Sequence, residues 1–197
     1  VYIQSLGNLF GLGELLLGLW GIPFTIFCVV GMINAFNMID GLNGLCASLC
    51  LVCFTAIIYM INADTVPSLF PLILPVGAIT GFLMYNLGVL GNQRTVFLGD
   101  NGSNALGFMC AWILVYFSSV ENSNFAPVTA LWFVAIPFFD AVGVMTSRAI
   151  KGIMPLKPGR DHLHHRLLDV GLSSNGIYVV LIIISALFAS IGYIFNH

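Results

Sequence analysis

Long apolar runs alternate with short polar segments along this chain, and the alternation predicts a series of membrane-spanning helices. The first run, Leu15–Ala35, has no charged side chain and is long enough to cross a hydrocarbon core of roughly 30 Å. Five more runs follow it, over Leu45–Ile61, Leu69–Leu90, Asn104–Phe117, Ala126–Arg148 and Ile177–Phe195. The pattern predicts an all-α fold, a polytopic membrane helical bundle of about six transmembrane helices forming a single domain over residues 1–197.

Composition supports this prediction, because 59% of the residues are apolar and only 7% are charged. Soluble domains carry roughly 25% charged residues, so here the bilayer must supply most of the solvent. The membrane is therefore an expected partner, and we expect no nucleic-acid partner. A homodimer is left open. The five cysteines all lie in apolar runs, where a thiol behaves as a small hydrophobic side chain.

The few charges are distributed very unevenly between the two sides of the predicted bundle. Because six spans alternate in direction, the segments after spans 1, 3 and 5 share one side. That side receives every cation, namely Arg94, Arg148, Lys151, Lys157, Arg160 and Arg166, whereas the other side receives Glu14, Asp64 and Glu121. The positive-inside rule predicts that the side with the cations is cytoplasmic.

The first polar cluster lies in Ala35–Gly44, between predicted spans 1 and 2. Asn37, Asp40 and Asn43 are spaced three apart, which places them along one side of a helical turn or tight loop. Their oxygens suit a divalent cation and their amides suit a polar ligand. The alternative is a simple helix stop, because Asp-Gly and Asn-Gly are strong turn dipeptides.

The second cluster is Val96–Gly107, where glycines flank Asp100 and Ser103 follows at the expected start of span 4. Glycines allow a ligand to approach the backbone, and a helix start favours phosphate, so an acid here indicates a bridging metal. Alternatively, Asp100 or Ser103 only caps the helix. Phe97 is a candidate for stacking on a base, or an ordinary membrane-edge aromatic.

The third cluster, Lys157–Gly171, packs three histidines and two arginines into Arg160–Arg166. Arginine binds phosphate oxygens bidentately and histidine donates or shuttles protons, so this segment favours a pyrophosphate or sugar-phosphate clamp. A zinc site and a basic loop attracted to anionic lipid head groups are the alternatives. The residues concerned are Arg160, His162, His164, His165 and Arg166.

Two isolated polar residues lie inside predicted spans. Asp140 should face the bundle interior with a partner, and Arg148 or Lys151 are conceivable partners, which gives it a supporting role. Asn86 near the end of span 3 either packs across helices or reaches the site, and we favour packing.

Three motifs occur in order, with apolar spans between them: NAFNMIDGLNG, VFLGDNGS and DHLHHR. Over nearly the whole chain this arrangement resembles the polyprenyl-phosphate N-acetylhexosamine-1-phosphate transferases of glycosyltransferase family 4, in particular their bacterial undecaprenyl-phosphate GlcNAc-1-phosphate branch. The resemblance implies a multi-pass enzyme of the bacterial inner membrane whose active site faces the cytoplasm. It would transfer the sugar phosphate from a UDP-sugar to undecaprenyl phosphate, release UMP and use Mg²⁺, with Mn²⁺ as a substitute, in the first membrane step of a cell-envelope polysaccharide.

The resemblance also implies roles for individual residues. Asn37 and Asp100 match metal ligands, and Asp40 matches an acid on the nucleotide side of the cleft. The uridine pocket corresponds to Gly41, Asn43 and Phe97, and the pyrophosphate or sugar loop corresponds to His162, His164, His165 and Arg166.

This sequence departs from the family pattern in two places. Asn43 stands where bacterial relatives often have Asp, so a catalytic carboxylate is not expected there. The family's upstream Asp-rich motif is missing, so we expect the C-terminal part of a longer protein that is inactive by itself.

Three other interpretations remain open. The muramoyl-pentapeptide branch is less favoured, because Leu163 interrupts the consecutive histidines typical of it. A transporter fragment is less favoured because nearly all the polar clusters lie at a membrane edge rather than at its middle. A non-catalytic scaffold would fit the missing acids.

Overall fold

The computed structural model describes residues 1–7, 13–61, 69–91, 96–119, 125–154, 159 and 161–196. Within these ranges the all-α prediction is confirmed. A 3₁₀ turn at Gly18–Trp20 leads into the first of eight α-helices in the described part of the chain. They are α1 (Gly21–Ile39), α2 (Leu45–Met60), α3 (Phe70–Asn86), α4 (Gly99–Ser119), α5 (Ala130–Phe133), α6 (Ala135–Ile150), α7 (Leu163–Asp169) and α8 (Ser174–Asn196).

Two segments of the described chain are long and apolar enough to cross a membrane, Gly18–Ile39 and Ser174–Asn196. The shorter helices α2 and α3 are also apolar. Many large apolar side chains of α1, α3 and α8 face outward, as expected of helices whose solvent is lipid.

Helix α2 lies at the centre of the bundle and packs against α3, α4 and α8. Around it, the largest side chains of the core are completely buried, including Phe36, Phe54 and Phe133. Helices α1 and α4 form the most extensive pair. Their close approach depends on Gly107, because a Cβ added there would lie 2.8 Å from the Cα of Ile33.

The prediction of one continuous span over Ala126–Arg148 is wrong. The helix is interrupted at Val134, whose backbone (φ −122°, ψ 26°) separates the single turn of α5 from α6. Pro137 then occupies the first turn of α6, where backbone N–H groups have no partner within the helix, so its missing N–H costs no helical hydrogen bond. The proline therefore starts a new helix instead of kinking an old one.

The other predicted ends shift in ways that affect the site. Helix α4 begins at Gly99 rather than Asn104, because Gly99 adopts a left-handed φ of +67° and so turns the chain into the helix early. This places Asp100 in the first turn of α4. Helix α3 ends at Asn86 rather than Leu90, and the basic segment, which the sequence predicted as loop, contains α7.

Candidate active site

The end of α1, the end of α3 and the start of α4 enclose a polar cleft of about 270 Å³. Its walls include Asp40, Gly41 and Asn43 of the first sequence cluster, Phe97 and Asp100 of the second, and Asn86 at the end of α3. Helix α7 lies against the same end of α1. The predicted convergence of the segments that follow spans 1, 3 and 5 is therefore confirmed, because all three contribute residues to one end of the bundle.

A short hydrogen-bond chain joins α1 to α4 beneath this cleft. The Asn37 amide donates to Ser103 Oγ over 3.0 Å, and Ser103 Oγ donates to the Asp100 carbonyl over 3.1 Å. Ser103 is completely buried. Its hydroxyl therefore holds Asn37 and the first turn of α4 in register, and the Asn37 side-chain oxygen is not needed for this contact.

Asp40 and Asp100 place two carboxylates at the rim of the cleft. Burial, and secondarily the negative charge of Asp100, raise the pKa of Asp40 to about 6. A cation between the two acids would relieve that repulsion. The two carboxylates are hard oxygen donors and fit Mg²⁺, which keeps most of its ligands as water and phosphate, whereas the predicted ligand Asn37 is not among the residues that line the cleft.

Phe97, Asn86 and Asn43 shape the remainder of the cleft. Phe97 is 75% exposed, so its ring presents a free face at the cleft mouth. Asn86 is buried, and its side-chain NH₂ donates to the Val96 carbonyl over 2.6 Å. The side-chain oxygen of Asn86, Oδ1, has no partner among the described residues. Asn43 and Asn86 also line a second polar chamber of about 380 Å³, together with Ser174, Asn175 and Tyr178.

His164 is the histidine that reaches the cleft segment. A Cβ added at Gly41 would lie 2.0 Å from His164 Nε2, so only glycine leaves room for the ring. His164 is 1% exposed, and neither ring nitrogen has a partner among the described residues. Burial, followed by the neighbouring charge of His165, lowers the pKa of His164 to about 4. His164 is therefore neutral at physiological pH.

His162 turns away from Gly41 and binds α6. Its Nδ1 lies 2.8 Å from Asp140 Oδ2, and the other oxygen of Asp140 accepts the Leu163 backbone N–H over 2.7 Å. The predicted partners of Asp140, Arg148 or Lys151, are therefore replaced by these two groups. Arg148 instead binds Asp161 over 3.0 Å, and this bond holds the pKa of Asp161 below its ordinary value.

The remaining predicted residues do not join the cleft. Arg166 is exposed and lines a different groove, beside Asp140, Asp161 and Phe188, where α6, α7 and α8 meet. His165 packs beside His164, with ring centroids 4.2 Å apart. Arg160 lies outside the described residues, as do Arg94 and Lys157.

The zinc alternative finds no support in the described ranges, where no three His, Cys, Asp or Glu side chains are arranged to hold a metal ion. Sequence reasoning favoured packing for Asn86, while leaving open that it reaches the site, and the structure places Asn86 in the cleft wall. For Ser103 it gave only a helix cap as an alternative role, and the contact with Asn37 was not predicted.

These features define a helical membrane protein with an acidic, aromatic-edged cleft at one end of its bundle. Residues 1–118 match the model of glycosyl transferase family 4, and the chain belongs to that family. This confirms the resemblance seen in the three motifs.

Three curated relatives carry the name undecaprenyl-phosphate alpha-N-acetylglucosaminyl 1-phosphate transferase. The protein from Escherichia coli K12 is 41% identical over 201 residues, which cover 100% of this chain and 54% of the relative. The Yersinia pestis protein is 38% identical over 98% of this chain and 53% of its own length, and the Haemophilus influenzae protein is 38% identical over 98% and 55%. The chain thus spans about half the length of the curated relatives it matches.

Proposed function

We propose that this chain forms the donor-binding part of an enzyme that transfers GlcNAc-1-phosphate from UDP-GlcNAc to undecaprenyl phosphate. The observation that carries the proposal is a cleft that combines two acids, Asp40 and Asp100, with an exposed ring, Phe97, and polar amides. The names of the relatives supply the sugar and the lipid. The UDP donor follows from the family.

The proposed reaction is a phosphoryl transfer in which the lipid phosphate oxygen attacks the sugar-linked phosphorus of the donor. The new bond is the pyrophosphate P–O bond, the old bridging P–O bond breaks, and UMP leaves with the bond's electron pair. Such a transfer needs positioning and charge neutralisation more than covalent help. Mg²⁺, when bound, supplies neutralisation of the pyrophosphate charge.

Within this scheme each described residue has a limited task. Asp40 and Asp100 would hold the cation, and Phe97 would stack on uracil. The second chamber has only uncharged polar groups at its described wall, which suits a neutral sugar.

In this proposal His164 and His165 lie near the Gly41 turn, whereas His162 is held by Asp140 of α6. His164 packs against the Gly41 turn with a 1% exposed ring, so it would support that turn beside the donor phosphates, and His165 packs against His164. Arg166 opens onto a groove with apolar walls and so is better placed for the lipid phosphate than for the nucleotide. We place the whole cleft at the cytoplasmic face of the bacterial inner membrane, from the charge asymmetry of the segments.

The test replaces Asp100 by Asn in the full-length protein and measures UMP release from UDP-GlcNAc and undecaprenyl phosphate. Loss of one charged ligand should lower turnover on the order of 10²–10³-fold without lowering thermal stability. Asp169→Asn, which changes an exposed acid of α7, is the matched control. If Asp100→Asn kept wild-type turnover and Mg²⁺ dependence, Asp100 would have only a structural role in the first turn of α4, and the proposal would lose its basis.

A further inference from the structure

The buried acid inside α6 makes two contacts with one short stretch of chain. The Asp140 side chain is only 5% exposed. Its Oδ1 accepts the Leu163 backbone N–H over 2.7 Å, and its Oδ2 lies 2.8 Å from His162 Nδ1. Both oxygens of the carboxylate are therefore committed to the beginning of α7.

A second attachment lies two helical turns further along α6, where Arg148 binds Asp161 over 3.0 Å. Three consecutive residues, 161 to 163, are thus fastened to one helix through different groups. The approach is close, because a Cβ added at Gly159 would lie 2.5 Å from an Arg148 side-chain nitrogen. Of the two attachments, the one through Asp140 reaches an imidazole ring.

The direction of the imidazole hydrogen bond follows from the acceptor. An ionised carboxylate can only accept, so Nδ1 of His162 carries the proton that is shared with Asp140. In a neutral ring the lone pair then belongs to Nε2. A histidine whose ring nitrogen is fixed by a carboxylate has both its orientation and its tautomer set by that partner.

The same contacts determine where the other histidines lie. The rings of His162 and His164 are nearly parallel, 8° apart, with centroids separated by 6.0 Å. His164 in turn packs directly against Gly41. A displacement of His162 would therefore be transmitted to the ring that touches the cleft turn.

We propose that Asp140 is a positioning residue that sets the Nδ1–H tautomer of His162 and holds α7 against the Gly41 turn of the cleft. It contacts no substrate in this arrangement. The predicted effect of Asp140 on turnover rests on the proposed function, whereas its effect on the tautomer of His162 does not.

The decisive variant is Asp140→Asn, which has nearly the same shape. Its side-chain oxygen can still accept the Leu163 N–H, but its NH₂ group now faces His162 Nδ1, which must become the acceptor. The tautomer should reverse to Nε2–H while α7 stays attached. Because His162 acts on the cleft only through His164, a shift of that ring by about 1 Å should lower kcat by up to roughly 10²-fold, with much less effect on KM for UDP-GlcNAc.

The readout is the ¹⁵N spectrum of histidine-labelled protein at a pH where the rings are neutral, with His162 assigned from a His162→Gln variant. We expect a protonated Nδ1 in the wild type, a protonated Nε2 in Asp140→Asn, and the wild-type tautomer in the control Asp161→Asn. A wild-type Nε2–H tautomer, or an unchanged tautomer in Asp140→Asn, would overturn the proposal. Absence of transfer by the wild type would instead count against the proposed function, and the spectra would still decide the role of Asp140.

Discussion

The contact between His164 and Gly41 gives the sharpest test of how the basic segment meets the cleft. In Gly41→Ala the added methyl carbon would lie 2.0 Å from Nε2, 2.7 Å from Cε1 and 2.8 Å from Cδ2 of His164. Ordinary van der Waals contact begins near 3.4 Å. The backbone at Gly41 does not have a positive φ, so alanine brings no conformational strain of its own.

The size of the effect follows from that overlap. The ring must retreat by roughly 1 Å, and because His164 is 1% exposed it has no free space to enter. Overpacking of this kind costs about 1–3 kcal/mol, which for a chain of this size corresponds to a fall in Tm of roughly 2–10 °C. A misplacement of about 1 Å near the reacting groups can also lower turnover on the order of 10²-fold.

The assay is thermal unfolding in detergent, combined with UMP release by the full-length protein, for Gly41→Ala in two backgrounds. In the wild type Tm should fall, whereas in His164→Ala the obstructing ring is gone and Gly41→Ala should change Tm little. Gly81→Ala in α3 is the matched control, since an added Cβ there meets nothing within 4 Å. Equal losses of Tm in both backgrounds would refute the inferred contact between α7 and the cleft turn.

Three further predictions concern the bundle, the acids and the membrane orientation. Gly107→Ala should lower the free energy of unfolding by roughly 3 kcal/mol or more, which exceeds the effect of Gly41→Ala, because the added Cβ would meet backbone atoms of α1 that cannot rotate away. The measurement is Tm, with Gly77→Ala as the control, since an added Cβ there meets nothing within 4 Å. Since the pKa of Asp40 is raised to about 6, its carboxyl becomes neutral as pH falls below that value, so Mn²⁺ affinity followed by EPR should weaken between pH 7 and 5; an affinity that is constant over this range would contradict the pairing of Asp40 with a cation. Cysteines introduced at Asn122 and Gly159 should lie on opposite sides, so that an impermeant reagent labels only Asn122 in intact cells; labelling at Gly159 alone would reverse the assigned topology.

The sequence was sufficient for the helical class, the approximate positions of most helices, the three polar clusters and the family. These features depend on local composition and on spacing along the chain, because a bilayer requires uncharged runs of a certain length and polar residues between them. The convergence of the clusters also followed, since alternating spans bring every second connection to the same side. The order of helices and connections was therefore enough to predict that Asp40, Phe97 and Asp100 lie at the same end of the bundle.

Only the tertiary structure decided which members of each cluster meet. Three histidines within four residues look equivalent in the sequence, yet a short helix turns His162 toward α6 and His164 toward Gly41. The partner of Asp140 depends on packing between distant segments, which the local pattern does not encode. The directions of His162 and His164 follow from the orientation of α7. That orientation is set by the two hydrogen bonds between Asp140 of α6 and residues 162 and 163, so it could not be derived from spacing along the chain.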